Sequence, residues 1–402
     1  MRLGNKLRIG FVGPLVPQKG GSAISCTQII EGLADAGHSI DAVAPILETD
    51  TEDALAARRP DIRIRRFPVP YFDVDPQLRP SARHAQAEEQ GVARLLPLMM
   101  AEHRPDVLVV RDIYALYSMD LAAEHDTPVV VLSRGNPTTA ILRGVYPADL
   151  CEPYLREFRR ATLIIAVAKH VADGLRELGM DQALAIPNAV DAKRFAPHPK
   201  SSELLVRLGA TEEDRIGVFV GHVKPLKRPL DILRSAVAAL RSDPLLLYVF
   251  LGDGASLGEA KEAARSLGVA DRCRFPGRIS NDEMPEFFNL ADFTIAASES
   301  EGLSRAHLET MASGGVLIAS DIPGSRELVR DGVNGFLFPM GDTQELARIT
   351  VRVAGDPALR ERIGSAALET ASHHHIEDAL QAYSDLLRGV ARRSRSGVLQ
   401  AT

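Results

Sequence analysis

Ser298–Gly315 reads SESEGLSRAHLETMASGG and holds two glutamates eight residues apart, Glu301 and Glu309. The apolar, β-prone run LADFTIAA (Leu290–Ala297) precedes it, and a second apolar run, VLIAS (Val316–Ser320), follows. The stretch therefore reads as strand, loop, helix, strand, with Glu301 at the helix mouth and Glu309 deeper in. Were both glutamates helical, they would lie about 12 Å apart along the axis, at roughly 1.5 Å per residue. That exceeds the about 5–9.5 Å separating paired carboxylates that share one glycosidic bond. Another arrangement fits better, because the N–H groups of Gly302, Leu303 and Ser304 lie near the helix start. Carboxylates accept from sugar hydroxyls, and a helix N-terminus seats a phosphate. A nucleotide-sugar presents its parts in that order, so Glu301 would hold the hexose and Glu309 the ribose diol. The plainer alternative is one glutamate favoured by the helix dipole and one solvated surface glutamate.

Working outward, the same strand–helix alternation fills the chain. LRIGFVGPL precedes a helix near Ser22–Ala36, and GHSIDAVAP, DVLVV, PVVVLS and TLIIAVA continue the series. After Asp191 the pattern restarts with RIGVFVG, LLLYVFLG, RCRFPG, DFTIAAS, VLIAS and NGFLFP. Alternation of this kind predicts an α/β protein with parallel sheets, and the restart predicts two doubly wound sheets in tandem. The joint is expected near IPNAVDAKRFAPHPKSSE (Ile186–Glu203), which has three prolines and no periodicity. The tail RRSRSGVLQAT is expected to fray. Ligands of open α/β sheets bind beyond the carboxyl ends of strands, so two facing sheets would gather their loops around a cleft.

The totals agree. A chain of 402 residues suits two domains of about 150–200 residues, and 45% hydrophobic with 25% charged residues is a globular composition. A net charge of −6 is modest for this length and does not point to a general nucleic-acid binder. Cys26, Cys151 and Cys273 lie far apart with no metal or redox spacing, as buried thiols in a reducing cytoplasm would. The opening MRLGNKLRIGFVGPL reads as a short charged lead into a strand rather than as a signal peptide, and no apolar run is long enough to cross a membrane. ARRPDIRIRRF (Ala57–Phe67) carries Arg58, Arg59, Arg63, Arg65 and Arg66. It reads as a solvated edge strand flanked by arginines, with a peripheral membrane contact as the sharper alternative.

Two more loops carry chemistry. GPLVPQKGGSAIS leads from the first strand through Gly20 and Gly21 into a helix with Ser22 as N-cap. Adjacent glycines there would admit a phosphate to the helix terminus. GHVKPLKRPLD (Gly221–Asp231) crowds Lys224, Lys227 and Arg228 before a helix, which suits a diphosphate. Weaker signals are set aside. LGDGASLG (Leu251–Gly258) spaces its glycines too widely for a dinucleotide fingerprint. Asp73 and Asp75 in FDVDP read as a solvated loop, and His373, His374 and His375 are consecutive and cannot converge on a metal from one helix face.

These residues resemble the retaining glycosyltransferases of family 4, with the GT-B fold of two Rossmann-like domains facing across a cleft. IPNAVDAKRFAP resembles the family's interdomain signature. SESEGLSRAHLETMASGGVLIASDIPGSRELVRDGVNGFLFPMGD resembles its E-x7-E motif and the strands beyond. The Gly-Gly loop and LADAGHSIDAVAP are similar to its first β-α-β unit. The resemblance implies an acceptor-binding domain over residues 1–190 and a donor-binding domain over 191–372. A last helix within 373–402 would return to the first domain. It also implies a metal-independent transfer, with retention, from a UDP- or GDP-sugar that is co-substrate rather than cofactor. By position, Glu301 contacts the hexose, Glu309 the ribose and Lys227 the diphosphate. Gly302, Leu303 and Ser304 lie at the phosphate, Arg278 lies where the base is held, and Gly20 and Gly21 close over the donor. Two positions depart from the pattern. His222 stands where the family often has arginine, leaving Lys224 or Arg228 to supply that charge. Arg134, in VVVLSRGNPTT, stands where many members have histidine. Arginine cannot act as a base at neutral pH, so Arg134 would stabilise the leaving diphosphate. A degenerate nucleotide-sugar-binding module, an epimerase and a phosphorylase are the competing readings, and donor turnover separates an enzyme from a binding module. No motif encodes the acceptor, to which Pro68–Gln86 is expected to contribute, or the oligomeric state. The expected location is the cytoplasm, with the inner membrane face as the site of any peripheral contact.

Overall fold

The computed structural model describes residues 6–18, 20–50, 52–70, 82–134, 141 and 148–395. Asp73 and Asp75, most of the stretch expected to contribute to the acceptor site, and the last seven residues lie outside them. Two compact units emerge, one drawn from Met1–Pro187 and Glu377–Thr402, the other from Asn188–Ile376.

The first unit contains strands β1 (Arg8–Val12), β2 (Ser39–Leu47), β3 (Arg63–Val69), β4 (Val107–Arg111), β5 (Val129–Ser133), β6 (Leu163–Ala166) and β7 (Ala183–Ala185). They form one sheet in the order β3-β2-β1-β4-β5-β6-β7, every pairing parallel. The second unit contains β8 (Arg215–Val220), β9 (Leu246–Leu251), β10 (Cys273–Gly277), β11 (Phe293–Ala296), β12 (Val316–Ser320) and β13 (Phe336–Phe338). Their order is β10-β9-β8-β11-β12-β13, again wholly parallel. Both sheets run third, second, first, fourth, fifth, sixth, the doubly wound order. It opens a crevice where the winding reverses, between first and fourth strands. In the second unit that crevice lies between β8 and β11.

Side-chain alternation explains why these strands are covered on both faces. Along β9, Leu246, Tyr248 and Phe250 join one buried cluster, while Leu247, Val249 and Leu251 join the cluster on the opposite face. At the β8–β11 pairing, Phe293 lies opposite Gly217, and a Cβ on Gly217 would stand 2.4 Å from the Phe293 ring. Glycine is what lets that ring cross the strand.

The helix Ile376–Arg395 contributes Tyr383, Leu387, Val390 and Ala391 to the core of the first unit, alongside Phe11, Leu33 and Ile40. Leu380 packs so closely on Gly32 that a Cβ there would meet it at 2.4 Å. At the sheet edge, β3 carries Arg63, Arg65 and Arg66 of the Ala57–Phe67 stretch, Arg58 and Arg59 end the short helix before it, and each cation has a carboxylate partner. Arg58 pairs with Glu31, Arg59 with Asp35 and Asp61, Arg63 with Glu102, Arg65 with Asp41 and Glu102, and Arg66 with Asp53. The stretch ends in an edge strand, and its arginines are each paired with a carboxylate. Among the described residues no helix is long and apolar enough to cross a membrane, and Cys26 and Cys273 are buried free thiols.

Candidate functional site

Loops leaving β8 and β11 flank the crevice of the second unit. The β8 loop is pinned to the β9 loop: Val223 N–H donates to Asp253 O at 2.8 Å and Ser256 N–H to Val223 O at 2.9 Å. Gly252 and Gly254 of LGDGASLG serve this approach. A Cβ on Gly252, whose φ is 144°, would stand 1.9 Å from Gly221 O. After one 3-10 turn (Pro225–Lys227), Arg228 adopts φ 50° and caps the helix Pro229–Ser242. Its guanidinium donates to Asp231 at 2.5 Å and to Glu299 at 2.7 Å, and Glu299 N–H donates to Leu226 O at 2.9 Å. Arg228 therefore ties two loops together, with its charge shared between Asp231 and Glu299.

That tie brings Lys227 and Glu301 together across 74 residues of sequence: Lys227 Nζ donates to Glu301 Oε1. Ser298 Oγ donates to the same oxygen at 2.8 Å. Burial pushes the Glu301 carboxyl up, but the Lys227 ammonium and the Ser298 hydroxyl outweigh it and hold the group below its usual range. Glu301 is thus ionised and aimed. An ammonium has three donors, and Lys227 spends one on Glu301.

The helix starts at Arg305 with Ser304 at its N-cap position. Glu301 lies in the loop before it, so the two motif glutamates are not a helical pair, and the axial spacing inferred from sequence does not apply. Glu309 is helical and buried, and accepts from Arg305 one turn earlier at 2.8 Å. Gly302 and Leu303 sit in the loop. Asn188 Nδ2 holds the Leu303 carbonyl at 2.5 Å, and a Cβ on Gly324 would stand 2.4 Å from Gly302 O. The backbone donors of the helix's first turn belong to Arg305, Ala306 and His307, slightly beyond the predicted set.

Three further positions share this neighbourhood. Burial, with the charges of Lys224, Lys227 and Arg278, lowers the His222 pKa, against the pull of Asp253 at 3.6 Å. His222 is therefore neutral near pH 7. Burial and the nearby Lys227 ammonium also depress Lys224, while Glu301 pulls it back up. Arg278 follows β10 and is exposed.

In the first unit Gly20 has φ 107° and is itself the N-cap of the helix Gly21–Asp35; Ser22, predicted as the cap, lies inside the first turn. A side chain at Gly21 would meet nothing within 4 Å. Arg134 follows β5, where Nη1 donates to Tyr383 OH at 2.9 Å, Nη2 donates to Ser25 Oγ, and the backbone N–H donates to Asp112 at 3.1 Å. Sequence reasoning found the charged members of the site and missed Asn188, Ser298, Gly324 and His307. Asn188 sits inside the quoted interdomain signature and Ser298 opens the E-x7-E stretch, but neither advertises its partner.

Comparison with known proteins follows the same division. Residues 20–189 match the glycosyl transferase 4-like domain, and residues 201–370 match glycosyl transferases group 1. A D-inositol 3-phosphate glycosyltransferase of Streptomyces bingchenggensis is 33% identical over 59% of this chain; the chain spans about half of that relative, 55% of its length. Its counterpart in Nocardiopsis dassonvillei is 28% identical over 88% of this chain and 86% of the relative. The Anabaena protein HepE, solved in complex with UDP and glucose, superposes with a TM-score of 0.77 at 19% identity, covering 95% of this chain and 99% of that one. Two matched domains and the sheet architecture agree: the chain belongs to the GT4-like glycosyltransferases of GT-B fold.

Proposed function

We propose that the chain is a retaining, metal-independent hexosyltransferase that takes a UDP-sugar and passes the hexose to an acceptor hydroxyl. The observation that carries this reading is the Lys227–Glu301–Ser298 cluster at the β8–β11 crevice. An ionised, fixed carboxylate is a strong acceptor for hexose hydroxyls, while the remaining Lys227 donors face the diphosphate. Lys224 and Arg278 add positive charge nearby, and the helix starting at Arg305 adds its N-terminal donors. Cationic side chains thereby take the part that a divalent cation plays in metal-dependent transfer. Glu309, oriented by Arg305, is assigned to the ribose diol. UDP is preferred to GDP because HepE, the structural neighbour described above, was solved with UDP and glucose. Arg134 belongs to the same proposal as the group that stabilises the departing diphosphate.

Release of UDP from UDP-sugars, with and without added acceptors, tests the reading. Wild type should turn over at least one UDP-sugar at a rate unchanged by EDTA. Glu301→Gln should keep its fold and lose a charged hydrogen bond of about 1.5–3 kcal/mol, a drop in turnover of roughly 10- to 150-fold. Lys227→Ala should weaken UDP binding itself, and Arg134→Lys should lower kcat more than it raises KM. Wild-type rates in both Glu301→Gln and Lys227→Ala, or strict dependence on a divalent cation, would refute the assignment.

A further inference from the structure

Behind Glu301 lies a cavity of about 10 Å3, lined by Thr294, Ser298, Glu301, Lys227, Ser304 and His307 among others. The His307 side chain is 1% exposed, yet neither ring nitrogen has a hydrogen-bond partner. Thr294 is 2% exposed, and its hydroxyl also lacks one. Unpartnered buried polar groups are costly, and an apolar residue at either position would avoid that cost. Their convergence on one cavity beside the ion pair gives the polar atoms a use. The volume is about that of a single water, which needs two to four polar partners, and Thr294, His307, Ser298 and Glu301 offer that number. His307 is also the residue by which the first turn of the helix Arg305–Ala312 faces inward, while Arg305 and Glu309 pair with each other along that helix. Burial pushes the His307 pKa down to about 4, so at neutral pH the ring has one donor and one acceptor nitrogen, as a bridge requires.

We propose that this cavity is a one-water site through which His307 and Thr294 fix the Glu301 carboxylate, making His307 a positioning residue for hexose recognition. The inference rests on the UDP-sugar reading above, and it adds a buried layer to that site. A residue acting only through Glu301 should be felt by the hexose and not by the nucleotide. UDP and UDP-sugar affinities, measured separately, should therefore part company.

Calorimetric titration of UDP, and of whichever of UDP-glucose, UDP-galactose and UDP-N-acetylglucosamine binds wild type best, makes the test. His307→Phe keeps a ring of similar size and removes both nitrogens. It should leave the Kd for UDP within about twofold and weaken UDP-sugar binding at least about fivefold, the loss expected of a bridging hydrogen bond. His307→Gln, which retains a donor and an acceptor, should recover most of that loss. Should His307→Phe not fold, Thr294→Val removes the other cavity hydroxyl at nearly constant shape and should show the same split. Unchanged UDP-sugar affinity in the variants, or equal weakening of UDP and UDP-sugar, would overturn the proposal while leaving the donor reading intact. Failure of wild type to bind UDP at all would overturn the donor reading and this inference with it.

Discussion

At Glu301 burial and ion pairing oppose each other, and the pairing prevails because Lys227 and Ser298 meet one carboxylate oxygen. At His307 burial prevails: the upward pull of the Glu301 charge is too weak, with Lys227 pushing the other way, and the folded pKa falls to about 4, from the ordinary 6.5. The two shifts act in different pH windows. As pH falls from 6.5 toward 4, the unfolded chain binds a proton at His307 that the folded protein refuses, and stability declines. The Glu301 contribution, present at higher pH, is lost only as pH falls through its own lowered pKa. Urea unfolding of wild type and His307→Phe at several pH values between 7 and 4 should therefore diverge. Wild type should lose up to about 3 kcal/mol more than the variant by the bottom of that range. Comparison with the variant is needed because His38, His103, His222 and His374 also have lowered pKa values. Identical pH profiles would show that His307 is not held neutral by burial. None of this was legible from sequence: Glu301 and Lys227 were found through their motifs, but a histidine on a helix gives no sign of which face it occupies.

At the scale of elements, strands were readable because a buried parallel strand is a continuous apolar run, as in LLYVFL of β9. β7, three residues long, is too short to establish a period and went unseen. Glycines were harder, since the same residue marks a turn, a close approach or a ligand contact. Gly324 and Gly21 separate two of these cases. A Cβ on Gly324 would press on Gly302 O at 2.4 Å and Glu301 O at 2.5 Å, both backbone atoms that cannot swing aside. Gly324→Ala should therefore destabilise the second unit by about 1–3 kcal/mol and displace the loop carrying Glu301, with loss of UDP-sugar turnover. Gly21 opens a helix and has nothing within 4 Å, so Gly21→Ala should leave stability unchanged or raise it by up to about 1 kcal/mol. If Gly21→Ala nevertheless lowers turnover, the open space at Gly21 belongs to a ligand. A destabilised Gly21→Ala would mean that the local packing has been misjudged. Thermal unfolding and UDP release on the same preparations decide between these outcomes.

Over the whole molecule, the mid-chain restart of the strand pattern foretold two sheets, and each has the doubly wound order. That the last helix returns to the first unit was expected from the family resemblance alone, because Ile376–Arg395 is by its own pattern an amphipathic helix that could pack on either sheet. In the structure it belongs to the first unit: Tyr383 holds Arg134, Ser384 Oγ bonds His38 at 2.8 Å, and Leu387 is 1% exposed among first-unit side chains. The second unit ends at Ile376 and makes the Lys227–Glu301 and Asn188–Leu303 contacts without that helix. A substitution there should therefore weaken one unit and spare the other. Leu387→Ala removes a buried leucine and should cost the first unit about 2–5 kcal/mol. UDP at about 100 times its Kd should stabilise the second unit by about 2.7 kcal/mol through mass action and leave the first unchanged. Hydrogen exchange resolved by peptide reads both effects together. Leu387→Ala should accelerate exchange in β1, β2 and β4 while β8, β9 and β11 keep wild-type protection, and UDP should protect only the latter set. Acceleration spread equally over both sheets would mean that the two units unfold as one, and that the last helix supports the donor site as well as the sheet on which it lies.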